Sequence, residues 1–442
     1  LRRAKCGMEL RNAVPVKKAR KKTKARYIIL FVLFLSTALN YLDRTNISVA
    51  APLMKGDLHL NPVALGLVFS AFGWTYAIMQ IPGGWLLDKF GPRRLYGVAL
   101  GVWSAFTFFQ AFAKGFTSLF GLRLGLGLSE APAFPTNNRL VSTWFPKQER
   151  AFATGFYTAG EYVGLAFLTP VLAWIVSDFS WQAIFIVTGV LGFLFIPIWF
   201  KFVHEPKDSP YVNEEELDYI AKGDGITENT EEKKKLTWSQ ISILFKKRTL
   251  WGIYIGQFGV TTTLWFFLTW FPTYLVNEKH MTIIHAGFYA MVPYIAAFCG
   301  VLFGGALSDW FIRRGFSTSF SRKTPVIIGL LLACTIVLAN YTSSIGLVIT
   351  IMSVAFFAQG MSGISWTLIG DVAPKELMGL AGGIFNFAGN LSGIVTPIVI
   401  GMIIGESQHF GGALIFVSAV ALIGALSYLF LIGKVERIEI ES

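Results

Sequence analysis

The sequence predicts an all-α membrane protein with twelve transmembrane helices arranged as two six-helix halves. Hydrophobic residues make up 54% of its 442 residues and charged residues only 14%, a balance that soluble folds do not have. Apolar runs of about 20 residues, the length a helix needs to cross a hydrocarbon layer, recur from Tyr27 almost to the C-terminus. Glycine-rich motifs of the first half also return in the second half, in the same order.

The individual helices are read from apolar runs between glycine, proline and charged residues. The predicted spans begin near residues 27, 63, 95, 117, 150, 181, 250, 284, 324, 346, 378 and 411. Asn61 followed by Pro62 places an N-cap residue before a proline at the first helical position. The predicted organisation is a basic cytoplasmic tail (1–26), an N-terminal six-helix bundle (27–203), a polar cytoplasmic linker (204–248), a C-terminal six-helix bundle (249–433) and a cytoplasmic tail (434–442).

The formal charge of +12 does not indicate a nucleic-acid-binding protein. Residues 1–26 hold eleven Lys and Arg residues and one acid, so this tail alone contributes +10. A basic tail before a membrane helix is typical of a segment retained in the cytoplasm. Most Lys and Arg residues in the later connections fall on the same side, so the positive-inside rule predicts that both termini are cytoplasmic.

The sequence gives no sign of catalytic or metal chemistry. Its cysteines, Cys6, Cys299 and Cys334, are far apart and lack CxxC spacing, so neither a disulfide framework nor a metal site is predicted. No His/Cys cluster and no nucleophile motif is visible in the sequence. We therefore expect neither an enzyme nor a cofactor.

Internal repeats support the division into halves. GGWLLD at residues 83–88 is repeated as GGALSD at 304–309, and Gly66 and Gly287 are related by the same shift. AGEYVG in the fifth span is similarly repeated as AGNLSG in the eleventh. Duplicated six-helix halves place a substrate site between them, near the middle of the bilayer.

The loop after the second span reads GWLLDKFGPRR, which resembles the loop motif of the major facilitator superfamily. A degenerate copy, GALSDWFIRR, follows the eighth span. The resemblance implies the twelve-helix major facilitator fold. An aspartate in such a turn can meet a helix N-terminus or an arginine, and we expect the motif to latch the two halves in one conformation. The predicted latch residues are Gly84, Asp88, Arg93, Arg94, Asp309 and Arg313.

Longer stretches resemble the anion:cation symporter family within this superfamily. They are NYLDR at 40–44, FSAFGW at 69–74, EAPAFP at 130–135 and GIFNF at 383–387. Bacterial members carry galactonate, glucarate and hexuronates with protons, and the sequence resembles the galactonate carriers first, with the glucarate carriers close behind. The resemblance implies a small organic anion and protons as transported partners, a bacterial inner-membrane location, and a monomer in the lipid bilayer.

Five charged residues lie inside predicted spans: Asp43, Arg44, Arg123, Glu130 and Glu161. A charge at the centre of a membrane helix costs at least about 2.5 kcal/mol, so such a residue faces a cavity or a partner. Structural ion pairs, Asp43 with an arginine and Arg123 with Glu130, are one interpretation. Because a purely structural buried ion pair is a poor stabiliser, function is favoured for Asp43, Arg44 and Glu130, while both interpretations stay open for Arg123.

Electrostatics then suggests a coupling mechanism. We expect Asp43 and Glu130 to exchange protons as the cavity opens and closes. Protonation of Asp43 ends its competition for Arg44, whose guanidinium then holds a substrate carboxylate through two hydrogen bonds.

The resemblance assigns roles to individual residues. Asp43 and Glu130 match the family's proton-coupling acids, and Arg44 matches its anion-binding arginine. Arg123 and Glu161 complete the charged part of the predicted substrate site, and Glu161 is also a predicted proton-coupling acid. The residues that match uncharged substrate contacts are Tyr41, Tyr76, Ser365, Trp366 and Asn386, of which the aromatic ones also fit plain packing.

Two positions depart from the galactonate carriers: Glu161 stands where they have Gln, and Gly363 where they have Ser. An acid at position 161 repels an anionic substrate unless it is protonated or paired. The predicted function is import of an aldonate resembling D-galactonate, with glucarate or a hexuronate next, by proton symport and alternating access. An anion channel, a uniporter or a transporter-like sensor without proton coupling is the alternative.

Overall fold

The computed structural model describes residues 22–223, 238–374, 377–407 and 409–439. All regular structure within these ranges is helical. Most of the predicted basic tail (1–26) lies outside the described residues, as do parts of the predicted linker (204–248) and of the C-terminal tail (434–442).

Sixteen α-helices follow one another along the described ranges. They are α1 (Ala25–Asp57), α2 (Pro62–Gln110), α3 (Phe116–Glu130), α4 (Ala133–Trp144), α5 (Arg150–Asp178), α6 (Trp181–Phe202), α7 (Glu214–Lys222), α8 (Trp238–Lys246), α9 (Arg248–Thr269), α10 (Phe271–Asn277), α11 (Ile283–Arg313), α12 (Thr318–Ala333), α13 (Ile345–Met361), α14 (Ser365–Val372), α15 (Met378–Ser407) and α16 (Gly411–Phe430). Short 3-10 helices lie at Pro206–Asp208, Cys334–Tyr341 and Ser362–Ile364.

These helices form the twelve predicted spans. Nine helical segments of the described chain are long and apolar enough to cross a membrane on their own. The other three spans are the second half of α2, the pair α3 and α4, and the pair α9 and α10. Helix α2 holds two spans because Gly91, with φ 71°, kinks it beside Pro92. The prediction of an all-α membrane protein with two six-helix halves is confirmed.

Sequence patterns predict the first residue of some helices correctly and miss that of others. The Asn61 side chain accepts a hydrogen bond from the Ala64 amide (2.8 Å), and Pro62 opens α2 as predicted. Helix α12 begins at Thr318, earlier than the predicted residue 324. The Ser317 hydroxyl caps its first turn, which is polar and therefore invisible to a search for apolar runs.

The two halves meet along two helix pairs, α2 with α15 and α5 with α11. A Cβ added at Gly66 would lie 2.4 Å from the Pro397 carbonyl oxygen, and one added at Gly287 would lie 2.3 Å from the Ala173 Cβ. Glycine is therefore required for this close approach. Both contacts lie at the end of the bundle that is far from the start of α1, so the halves are closed together at that end.

Helix α7 of the predicted linker packs on the first half. Asn213 caps it by accepting a hydrogen bond from the Glu216 amide (3.0 Å). The buried Glu216 lies 2.9 Å from Arg26, which also lies 2.9 Å from Glu149. The Tyr219 hydroxyl donates to Glu149 (2.6 Å). This network joins the linker to the starts of α1 and α5.

Candidate substrate cavity

A cavity of about 1090 Å³ lies between the two halves. Its wall is formed by α1, α2, α4 and α5 of the first half and by α9, α11, α13, α14 and α15 of the second. It extends to Phe152 and Gly155 near the start of α5 and to Gly379 near the start of α15. The cavity is therefore directed toward the end of the bundle opposite the Gly66 contact.

Only two charged side chains are present on this wall, counting the lining residues that the structure describes. They are Arg44 of α1 and Glu161 of α5. The lining amide and serine side chains, which are neutral, are Gln80, Asn138, Gln257, Gln359, Ser365, Asn386 and Asn390. Such a wall can hold one anionic group and several hydroxyl groups.

Arg44 is held by a carboxylate and by three aromatic rings. Its Nε and Nη2 lie 2.6 and 2.5 Å from Glu130 Oε1. The guanidinium carbon lies 4.7 Å from the centre of the Tyr41 ring and 4.9 Å from the centres of the Phe72 and Tyr76 rings. Aromatic faces attract a cation and hold it in place. Arg44 is thus fixed on the cavity wall, with its charge balanced by a carboxylate buried behind it.

Asp43 does not compete for Arg44 in this structure, which corrects the expectation drawn from the sequence. Its carboxyl group is buried and faces Thr188 of α6 and Trp103 of α2. Neither Oδ atom has a hydrogen-bond partner among the described residues. Neighbouring residues of an α-helix point about 100° apart, so Asp43 and Arg44 face different partners. Glu130 takes the position beside Arg44 that was expected for Asp43.

Arg123 lies behind the cavity wall. It is 1% exposed, and its guanidinium carbon lies 5.5 Å from the centre of the Phe72 ring, which Arg44 also contacts. The ion pair of Arg123 with Glu130, which the sequence left open, is absent from the ion pairs of the described chain, and Glu130 is bound to Arg44 instead. Arg123 does not reach the cavity in this conformation, and its role in substrate binding stays a prediction.

Glu161 reaches the cavity from α5 and is 6% exposed. Its carboxyl group faces the Tyr41 hydroxyl and the Arg44 guanidinium. The Tyr41 ring contacts the Arg44 guanidinium, and Tyr41, Arg44 and Glu161 all line the cavity. A ligand group bound at Arg44 therefore lies under the influence of the Glu161 charge.

The second half contributes neutral hydrogen-bonding groups. Ser365 donates to Gln257 Oε1 (2.9 Å), and Asn390 Nδ2 donates to Asn386 Oδ1 (3.2 Å). Asn386 Nδ2 in turn donates to Gln80 Oε1 (3.5 Å), which links α15 to α2 across the interface between the halves. These amides are placed to exchange hydrogen bonds with a polyhydroxylated ligand.

The structure separates the predicted site residues into two layers. The layer on the cavity wall contains Tyr41, Arg44, Tyr76, Glu161, Ser365, Trp366 and Asn386, and the layer behind it contains Asp43, Arg123 and Glu130. Sequence reasoning missed Gln257, Gln359 and Asn390. The signal that singled out Asn386, an amide that needs partners within an apolar span, applies equally to these three.

The predicted latch residues form contacts within each half. Asp88 lies 3.0 Å from Arg139, and its repeat partner Asp309 lies 3.7 Å from Arg322. Arg93 donates to the Phe200 carbonyl oxygen (2.6 Å). Arg139 belongs to α4 and Arg322 to α12, so these pairs join helices of the same half. Latching of the two halves stays a prediction.

The remaining latch candidates lie beside these pairs. Arg313 Nε donates to the Asp309 carbonyl oxygen (3.4 Å), one turn earlier in α11. Arg94 is exposed, and the space around Gly84 is open.

A membrane-spanning bundle of two similar halves around a central polar cavity is typical of secondary transporters. The chain belongs to the Major Facilitator Superfamily, whose family model matches residues 33–397. The superfamily predicted from the loop motif is confirmed, and the protein is a transporter and not an enzyme, as predicted.

Similar proteins agree with this assignment. The chain is 47% identical over 430 residues to the D-galactonate transporter of Escherichia coli O6:H1 (strain CFT073), covering 96% of this chain and 99% of that protein. It is 45% identical over 431 residues to the probable galactarate/D-glucarate transporter of Bacillus subtilis (strain 168), covering 95% and 94%. Its fold is similar to the crystal structure of a bacterial homologue of the human lysosomal transporter Spinster, with a TM-score of 0.69 at 21% identity over 92% of this chain and 95% of that chain.

Proposed function

We propose that this protein is a secondary active transporter that imports a sugar-acid anion by proton symport. An aldonate resembling D-galactonate is favoured, with glucarate or a hexuronate next. Arg44 carries this proposal, because its guanidinium lies on the cavity wall against the buried Glu130 carboxylate. Relatives named as transporters of galactonate and of galactarate or glucarate support the substrate class. The proposed location is the bacterial inner membrane, with both termini cytoplasmic and the protein monomeric.

The substrate carboxylate binds Arg44 in this proposal. A guanidinium presents a planar fork of donors that matches a carboxylate with two hydrogen bonds. The substrate hydroxyl groups exchange hydrogen bonds with amides on the opposite wall, among them Gln257 and Asn386. Neutral amides can both donate and accept, so they suit a chain of hydroxyl groups.

Protonation of Glu130 is the proposed coupling step. While ionised, Glu130 neutralises Arg44 at 2.5 Å and competes with the substrate carboxylate. A proton on Glu130 removes that competition and releases Arg44 to the anion. Asp43, buried nearby in the same half, and Glu161 are the other proposed proton carriers. When protons outnumber the substrate charge, the membrane potential adds about 2.3 kcal/mol per net charge per 100 mV to the inward driving force.

Alternating access is proposed to occur by rocking of the halves. The contacts at Gly66 and Gly287 close one end of the bundle, while the cavity extends toward the other end. Opening of the closed end requires α2 to separate from α15 and α5 from α11. The pairs Asp88 with Arg139 and Asp309 with Arg322 join helices within one half, which suits halves that move as units.

An uptake assay tests this function. Purified protein in liposomes is supplied with labelled D-galactonate under an inward proton gradient, and we expect accumulation above equilibrium that a protonophore abolishes. Downhill flux that ignores the gradient would contradict proton symport and favour a uniporter or, with channel-like conductance, an anion channel. Binding without flux would favour a transporter-like sensor.

A further inference from the structure

We propose that Glu161 makes this transporter select sugar acids with one carboxylate over those with two. The inference rests on the proposed function, because it assigns the two ends of a sugar acid within the same cavity. It distinguishes two classes of sugar acid. One similar protein is named a transporter of an aldonate, D-galactonate, and another a probable transporter of aldarates, galactarate and D-glucarate.

The proposal depends first on the number of charged residues that line the cavity. Arg44 is the one cation and Glu161 the one acid among the lining residues in the described ranges. Arg44 is already bound to Glu130 through Nε and Nη2, so it has capacity for one incoming carboxylate. A second carboxylate on the same ligand meets neutral amides, aromatic rings or Glu161.

The proposal depends second on the repulsion between Glu161 and the charge of the ligand. Glu161 lines the same cavity as Arg44 and Tyr41, so its charge acts on any ligand bound there. Burial strengthens the interaction between charges because the local dielectric constant is lower than that of water. A ligand with charge −2 is therefore repelled by Glu161 more strongly than a ligand with charge −1.

The proposal depends third on the difference in hydrogen bonding between a hydroxyl group and a carboxylate. An ionised carboxylate only accepts hydrogen bonds, so Glu161 can receive one from a substrate hydroxyl but none from a substrate carboxylate. An aldonate ends in a primary hydroxyl group where an aldarate ends in a second carboxylate. The wall thus matches the uncharged end of an aldonate and has no described cation for the charged end of an aldarate.

Three ligands of one carbon skeleton test the proposal: galactitol, D-galactonate and galactarate, which carry zero, one and two carboxylates. Their dissociation constants are measured by calorimetry on the purified full chain at pH 7.5. We expect D-galactonate to bind at least about tenfold more tightly than galactarate, which corresponds to about 1.4 kcal/mol, and galactitol to bind most weakly. Equal or tighter binding of galactarate by the unmodified protein overturns the proposal whatever any variant does.

A variant then assigns the preference to Glu161. Glu161→Gln keeps the size and hydrogen-bonding ability of the side chain and removes its charge, and we expect the galactarate-to-galactonate ratio of dissociation constants to fall at least about fivefold. Asp218→Asn is the matched control, since it removes an exposed acid on α7 and should leave the ratio unchanged. An unchanged ratio in Glu161→Gln overturns the inference while leaving sugar-acid binding intact. Failure of both sugar acids to bind the unmodified protein overturns the proposed function itself.

Discussion

The Arg44 guanidinium and the Glu130 carboxylate lie 2.5 Å apart, although 86 residues separate them in the chain. Arg44 comes from the first span and Glu130 from the end of α3. The carboxylate is fully buried, and the guanidinium lies on the cavity wall. This arrangement gives one cation two competing anionic partners, the protein's own acid and a ligand.

Glu130→Gln should separate binding from coupling. The amide retains the size of the side chain but carries no charge, so we expect exchange of labelled for unlabelled D-galactonate at equilibrium to persist. Accumulation driven by a proton gradient should fall at least about tenfold, because the group that releases Arg44 on protonation is gone. Both rates are measured in the same liposome preparation. Equal loss in the two assays would count against a coupling role for Glu130.

Arg44→Lys should weaken substrate binding although it preserves the charge. Lysine lacks the planar fork that holds a carboxylate through two hydrogen bonds and fits less well among three aromatic rings. Loss of one hydrogen bond to a charged group costs about 1.5–3 kcal/mol, so we expect the dissociation constant for D-galactonate to rise about 10- to 150-fold. Calorimetry checks this, and a rise of less than threefold would contradict direct binding at Arg44.

Gly66→Ala should disturb the closed end of the bundle. The added Cβ would lie 2.4 Å from the Pro397 carbonyl oxygen, so α2 and α15 must move apart. We expect longer distances between spin labels placed on these helices, and a lower thermal midpoint. Gly346→Ala is the matched control, because nothing lies within 4 Å of a Cβ at that position. The same distances in both variants would rule out a tight contact at Gly66.

Glu149→Gln should change the pH dependence of stability. Burial alone would raise the pKa of Glu149, but hydrogen bonds from Tyr219 and Arg26 outweigh it and hold this pKa below its usual value. A lowered carboxyl pKa stabilises the fold above the unfolded-state pKa, about 4.3, and this contribution is lost as the pH falls through the folded-state value. Because solvent partly screens Glu149, we expect about 1 kcal/mol or less.

Thermal unfolding between pH 7 and pH 3.5 measures this effect. The midpoint of the unmodified protein should exceed that of Glu149→Gln at pH 7, and the difference should shrink below about pH 4.3. Asp218→Asn serves as the control, because its partner Lys222 is exposed. A difference that stays constant across this range would show that Glu149 acts through packing alone.

The helical architecture was predictable because each span carries its own signal. An apolar run needs no knowledge of its neighbours to be identified as a membrane helix, and caps such as Asn61 act through backbone groups three residues away. Two kinds of feature have a weaker signal in the sequence. They are breaks within spans, such as the kink at Gly91, and polar first turns, such as the one after Ser317. They depend on conformations that an apolar pattern does not encode.

The chemical nature of the site was also visible in the sequence, because charges inside apolar spans require a cavity or a partner. Arg44 and Glu161 were selected in this way, and Asn386 was selected as an amide that needs partners within an apolar span. All three line one cavity. The sequence did not show which of the charged residues contact one another. Asp43 adjoins Arg44 in sequence, yet Glu130 binds Arg44, since the rotation of each helix about its own axis decides which side chains meet.

The sequence by itself determined the class of protein, the number of spans, the internal repeat and the presence of buried charges, because these follow from local composition and spacing. Only the tertiary structure decided which residues meet. Glu130 forms an ion pair with Arg44, Asp43 and Arg123 lie behind the cavity wall, and Glu161 is the single described acid that lines the cavity. Such relationships depend on distances between helices distant in the chain. Packing fixes those distances, and no single segment contains them.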